Sequence, residues 1–270
     1  IFTIKRASGY KGPLFKVSTG NTTFPSNDKS RLTFLNVKVS GDNIANAEAA
    51  LIEANIGKVT IRQGTTLSNN NVKEGASAVD LKGTAVLDLN AKVGQVSITG
   101  NNTAKDGAAI VINSSADHPV TLNGNIKVEG NKVGVGTALK DANVDIGKKM
   151  LWVEKNNTFT GKVGITTSNT PNADNQGTPI VDFESRTSGA LKPYFANNFA
   201  CDIKDQSIEE AVTSNVETYD TSITPAPTTT NQIDGRLYLT APFKTITISY
   251  VDKDGNKVTT TTVKVDVTGL

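Results

Sequence analysis

The chain has 270 residues, with 28 Lys+Arg against 26 Asp+Glu for a net charge of +2, and it is 37% hydrophobic and 6% aromatic. So even a charge balance, without any cluster of Lys, Arg and aromatics, excludes the electrostatic footprint of a nucleic-acid binder. No apolar run approaches the ~20 residues a membrane-spanning helix needs, while the length is enough for one elongated domain or two compact ones.

The predicted elements are short. Most apolar runs hold three to five residues between turns rich in Thr, Asn and Gly, which is a β-rich pattern. Four stretches share one arrangement: an Asn, then seven residues later an Ala, then an apolar residue. In chain order these are Asn43 with Ala50 and Leu51, Asn71 with Ala78 and Val79, Asn102 with Ala109 and Ile110, and Asn131 with Ala138 and Leu139. The asparagines recur at intervals of 28, 31 and 29 residues. A short alternating run precedes each ("LNVKVSGDN", "TTLSNNN", "VSITGNN", "IKVEGN"). A second run follows ("ALIEAN", "AVDLKG", "AIVINS", "ALKDAN"), then a third ("KVTIRQG", "TAVLDLN", "HPVTLNG", "NVDIG").

Three short strands per unit, at a period of about 29 residues without helical periodicity, predict a parallel β-solenoid. "IANAEAALIEANI" (44–56) could form a helix by composition, but its alignment with the other units predicts turn and strand. Asn suits the turn because its side chain bonds to backbone and tolerates left-handed dihedrals. Asn43, Asn71, Asn102 and Asn131 are expected to stack as a column. The small Ala is expected at a tight corner, and Leu51, Val79, Ile110 and Leu139 inside. One coil cannot satisfy its own backbone donors and acceptors, so the coils must stack and both ends must be closed.

After about Gly189 the repeat stops. "IKDQSIEEAVTSNVETY" (203–219) sets Ser207 ahead of Ile208, Ala211 and Val212, with Glu209 and Glu210 in the first turn, and reads as a capped short helix. "TSITPAPTTTNQIDG" (221–235) reads as an extended connection. "RLYLTAP", "KTITISYVD" and "KVTTTTVKVDV" read as strands, with "DKDGN" (252–256) as a hairpin turn. They form either a second small β unit, the reading favoured here, or a region packed back on the solenoid.

"VSITGNNTAKDGAAIVI" and "TLNGNIKVEGNKVGVGTAL" resemble the right-handed β-helix repeats of Gram-positive bacterial cell-surface proteins of the adhesin type. "KKMLWVEKNNTFTGKVGITTSNTP" is similar to the last coils of such solenoids, and the resemblance covers about residues 1–200. Where many relatives carry Gly-Gly-Ala-Ile-Tyr, this chain has only Gly107-Ala108-Ala109-Ile110. "TITISYVDKDGNKV" resembles strands of small β modules repeated in Gram-positive adhesins. "NADNQG" (172–177), "LKPYFANNFACDIKDQSIEEAV" (191–212) and the Thr/Lys tail bear a weaker resemblance to lactobacillar surface-layer (S-layer) and associated proteins. Both resemblances imply a secreted protein of the bacterial cell surface or wall. Its implied partners are a cell-wall polymer, a host glycoprotein or neighbouring surface-protein subunits, with self-assembly possible.

A β-helix also hosts polysaccharide lyases and hydrolases, which need clustered carboxylates, often calcium, and a base on one face. The acids Asp80, Asp88, Asp106, Asp117, Asp141 and Asp145 are scattered in sequence, and Trp152 is the only Trp. His118, the only His, reads as a turn residue rather than a ligand or base. Cys201, the only Cys, leaves no intrachain disulfide, has no His near it and reads as half-buried packing. "DKDGN" lacks the closing Glu of an EF-hand. Asn21, Asn101, Asn113 and Asn156 head Asn-x-Ser/Thr triplets, expected by chance in so Thr- and Asn-rich a chain. The chain starts at Ile1 with neither Met nor a leader, the pattern of a processed product or excised fragment.

These readings predict an all-β chain: a right-handed parallel β-helix over 1–190, then over 191–270 a capping segment with a short helix and a small antiparallel β region. The expected function is non-catalytic, as an adhesin or coat-associated binding and presentation module. The alternatives are a self-assembling S-layer subunit and, from another class, a polysaccharide lyase or hydrolase. No catalytic, cofactor-binding or metal residue is assigned, and no cofactor is expected.

Overall fold

The structure, a computed structural model, describes residues 1–18, 30–154, 158–167, 178–184, 188–202, 207–210, 235–240 and 243–266. The short alternating runs form strands that pair in parallel with the equivalent run one repeat away, building a β-solenoid of about 5 turns. The chain visits three sides in rotation. Phe2–Lys5, Phe15–Val17 and Arg31–Phe34 open the first, second and third sides, and Val37–Ser40, Ile52–Ala54 and Lys58–Arg62 stack on them in that order. Thr66–Ser68 and Val79–Leu81 continue the first two sides. Val86–Thr99 and Val120–Val128 then each run from the third side around the corner into the first.

Alternation along each strand sends every second residue inward, so like positions stack into apolar columns. On the third side one column runs Leu32, Val59, Leu87, Val120, Leu151, Val181 and Leu237. All but Leu32, at the N-terminal end, are buried. On the second side Ile52, Val79, Ile110 and Val144 stack likewise. The segment 44–56 holds no helix, as the repeat alignment predicts, and Ile52–Ala54 is its strand.

The fourth unit departs from the expected pattern. Lys132–Val133 turns through a single 3-10 turn at Gly136–Ala138 and pairs antiparallel with Lys140–Asp141. Ala138 is therefore exposed, and Leu139 is 47% exposed instead of filling the interior. Val144, five residues later, takes the inward place, so "NVDIG" is the second strand of its coil and not the third. Leu51 lies in the core as expected, while the residue in register with Val79 and Ile110 is its neighbour Ile52.

At the C-terminal end Lys162–Thr166 pairs with both the first and second sides, and Phe199–Cys201 adds one more parallel strand. An α-helix, Ser188–Asn197, lies between them in sequence, buries Leu191 and sets Tyr194 and Phe195 against the core. The rings of Phe159 and Phe199 lie 5.1 Å apart and those of Phe183 and Tyr194 5.2 Å apart, filling the end of the core. Arg236–Thr240 pairs antiparallel with Thr178–Phe183, and Ser207–Glu210 pairs antiparallel with Arg236–Thr240.

Ser207 thus begins a strand, not the helix expected there. Residues 203–206 and 211–219 of that expectation, like the connection 221–234, lie outside the described residues. The partner edge offered by Arg236–Thr240 explains the difference, because tertiary pairing overrides a weak local helix signal. Phe243–Val251 and Lys257–Asp266 form the expected hairpin as a two-stranded sheet of their own, closed over "DKDGN" with Gly255 at φ 84°. So "RLYLT" packs back on the solenoid while the following hairpin does not join its sheet. Among the described residues no helix is long and apolar enough to cross a membrane.

Candidate functional site

The recurring asparagine does form a column, but of Asn43, Asn71, Asn102 and Asn131 only Asn131 belongs to it. Asn71 and Asn102 are register partners, whereas Asn102 faces Lys132, which leaves Asn131 over Asn101. Asn43 sits in a surface turn at φ 55°. The buried column is Asn70, Asn101, Asn131 and Asn143, each 0–3% exposed. The Asn101 side-chain amide donates to the Leu67 carbonyl at 3.1 Å and to Asn131 Oδ1 at 3.0 Å, and Asn131 Nδ2 donates to Asn143 Oδ1 at 2.9 Å. The backbone N–H of each donates to the next amide oxygen as well: Asn70 to Asn101 at 3.2 Å, Asn101 to Asn131 at 3.1 Å and Asn131 to Asn143 at 3.1 Å. The residue before each of the first three is left-handed, namely Asn69, Gly100 and Gly130 at φ 57°, 66° and 69°. This corner turns the amide inward.

Beyond Asn143 the column closes on a carboxylate. Asn143 donates its N–H and its Nδ2 to Asp202, both at 2.8 Å, and the Thr166 hydroxyl donates to the same carboxylate at 2.7 Å. Burial holds the Asp202 carboxyl above its ordinary pKa, against these three hydrogen bonds that pull the other way. The corner has no room for a side chain at Gly164, where a Cβ would lie 2.3 Å from Asn143 Nδ2 and 2.4 Å from Asp202 Oδ1. Nothing in the repeat spacing signals Asn143 or Asp202 as members. The column positions and stiffens; it offers no reacting group to solvent.

The six acids considered for catalysis are spread over the molecule. Asp80 pairs with Lys82 at 2.7 Å, Asp88 with Lys58 at 2.9 Å and Asp141 with Lys132 at 2.8 Å. Asp145 accepts from the Gly147 N–H at 3.0 Å, and Asp106 and Asp117 lie exposed in separate turns. Among the described residues no group of three or more His, Cys, Asp or Glu could hold a metal. Cys201 is half-buried, packed against the core as expected. Asn101, at 1% exposure inside the column, is no accessible acceptor for a glycan; Asn113 is exposed, and Asn21 and Asn156 lie outside the described residues, as does "NADNQG" (172–177).

The outer surfaces are polar and regular. The first side carries the outward column Thr3, Lys38, Thr66, Ser97, Lys127 and Lys162. The third carries Thr33, Thr60, Asp88, Thr121, Trp152 and Asp182. His118 is in an exposed bend, as expected, yet it has a partner that the sequence did not reveal: its ring stacks on Trp152 with centroids 3.9 Å apart and planes 33° apart. The two lie 34 residues apart, about one coil, and the repeat period is the only signal that could have brought them together. No protein-family model, curated protein or solved structure matches the chain.

Proposed function

We propose that this chain is a non-catalytic binding and presentation module of the bacterial cell surface, whose partner is a cell-wall polymer or a host glycoprotein. The observation that carries this reading is the column of short hydroxyls and ammonium groups, Thr3 to Lys162, repeated on a rigid side. Its backbone is hydrogen-bonded from coil to coil and its inward side chains are packed, so the strand positions carrying these groups are fixed before any ligand arrives, and Glu129 holds Lys127 and Lys162 at 2.9 and 3.6 Å. That lowers the ordering cost of association with an extended partner.

A second reading is a self-assembling coat subunit, because regular outward columns on a stacked solenoid also suit lateral packing against a second copy.

One experiment separates the readings. The purified chain is passed over immobilised mucin and over cell-wall sacculi, dialysed from denaturant for electron microscopy, and incubated with pectin-like polymers. The proposal expects salt-sensitive retention without ordered arrays and without new reducing or unsaturated ends. Arrays without retention support the coat subunit, and released sugar ends support a degrading enzyme; either overturns the proposal.

A further inference from the structure

We propose that the stacked pair His118–Trp152 on the outside of the third side is a glycan subsite that takes one uncharged pyranose unit. This deepens the binding reading above and rests on it. Every other outward position of that column in the described coils is short or charged: Thr33, Thr60, Asp88, Thr121 and Asp182. Trp152 breaks the pattern with the largest side chain available, at a place where it is only half-buried. The inward neighbours Leu151 and Val153 already fill the core at 0% exposure, so packing does not require the indole.

The arrangement fits the amphipathic surface of a sugar. An aromatic ring on a rigid strand gives flat apolar contact at low entropic cost, and the C–H face of a pyranose needs that platform. Strand register sets Thr121 beside Trp152, and Asp117 adjoins His118 in the exposed bend, so hydrogen-bonding groups for sugar hydroxyls lie next to each ring. The neighbouring cations are engaged: Lys149 Nζ donates to the Ser115 carbonyl at 3.3 Å, and Arg236 Nε pairs with Asp182 at 3.1 Å. A flat apolar ring pair with its neighbouring charges already engaged suits an uncharged, hydroxyl-rich ligand.

Trp152 is the only Trp, so the emission of the intact chain reports this site alone. The probes are cellohexaose and chitohexaose, with hexagalacturonate as the anionic comparison. A saturable change in emission with an uncharged hexamer is expected, and a weaker one with hexagalacturonate. His118→Ala, in an exposed bend, is expected to weaken binding about tenfold, the order a stacked aromatic contact supplies. Trp152→Ala, and Trp152→Thr should the first fail to fold, are followed by calorimetry and are expected to abolish binding of the hexamer. The proposal is overturned if millimolar hexamer leaves the emission unchanged, if His118→Ala binds as tightly as the parent, or if the anionic hexamer or a quaternary ammonium salt binds better. Retention of the parent on sacculi or mucin with silent hexamer titrations removes the subsite and leaves the binding reading standing. Loss of retention on both surfaces removes that reading itself.

Discussion

The two ends of the buried amide column differ. At the C-terminal end the last donors, Asn143 N–H and Nδ2, meet the Asp202 carboxylate, which the Thr166 hydroxyl also contacts. At the N-terminal end the column stops at Asn70, whose Nδ2 is satisfied by the Ala49 and Ser77 carbonyls at 3.1 and 2.7 Å. Its Oδ1 is buried with no hydrogen-bond partner among the described residues. Beneath it lies Gly41, whose own N–H goes to the Ser68 carbonyl at 2.9 Å. A directional chain of amides leaves donors over at one end and an acceptor at the other. Closing it therefore takes an acceptor at the donor end, which Asp202 provides, and a donor at the acceptor end, which Gly41 does not. The C-terminal end is tied into its cap, and the N-terminal end is held by the two Asn70 Nδ2 bonds and by close packing against Gly41.

Breaking the middle of the column should have the largest effect. Asn101→Ala strips the donor from Leu67, Thr99 and Asn131 and the acceptor from the Asn70 N–H. We expect a loss of about 4 kcal/mol in urea unfolding. Asn102→Ala, the neighbour that the repeat spacing points to, is half-buried with an unpartnered Oδ1 and should cost less than about 1 kcal/mol. Equal losses from the two would show that the column does not hold the corner.

Gly41→Ala comes next. Its Cβ would lie 2.4 Å from Asn70 Cα and 2.5 Å from the Asn69 carbonyl oxygen, both backbone atoms that cannot swing aside. A loss of about 3 kcal/mol is expected. Combined with Asp202→Ala it should add, because the two ends are separate, whereas Gly164→Ala with Asp202→Ala should not. A double-mutant cycle reads this directly.

Asp202→Ala leaves three donors without their acceptor and should cost about 2 kcal/mol. The pH dependence sharpens the same point. Burial raises the folded-state pKa of Asp202 above its unfolded value, so the folded chain takes up the proton first. The stability gained that way is complete below the unfolded pKa and is lost as the pH rises through the folded one. Across that window the melting temperature of the parent should fall relative to Asp202→Asn, and parallel curves would refute the assignment. The smallest effect belongs to the exposed ion pair Lys5–Asp42, 2.8 Å apart, whose removal by Lys5→Ala should change stability by less than about 1 kcal/mol.

The coil was legible in the sequence because each turn must return its strands to the same three sides, and that return imposes a period. The member of each Asn run that lies in the column was not legible. Asn69, Asn70 and Asn71 are the same letter, yet one is left-handed, one buried and one register-paired, and the inward–outward alternation through the corner decides among them. Asn143 escaped because the excursion over 132–141 returns the chain to the corner only 12 residues after Asn131, well short of the repeat spacing. Asp202 escaped because its partners, Asn143 and Thr166, lie 59 and 36 residues away. The helix Ser188–Asn197 was hidden by its own Gly189 and Pro193, which argue against helix locally; burial of Leu191 under the cap outweighs them.

By itself the sequence determined the β character, the three-strand coil and the hairpin over "DKDGN", since all of these follow from periodicity and turn chemistry within one or two coils. Only the tertiary structure decided which asparagines are buried, where the fourth coil bulges, that Ser207 starts a strand, and that the rings of the sole His and the sole Trp meet. Those outcomes depend on what lies one rung above or below, and a linear chain does not state which of several equivalent letters will stand there until stacking fixes the register.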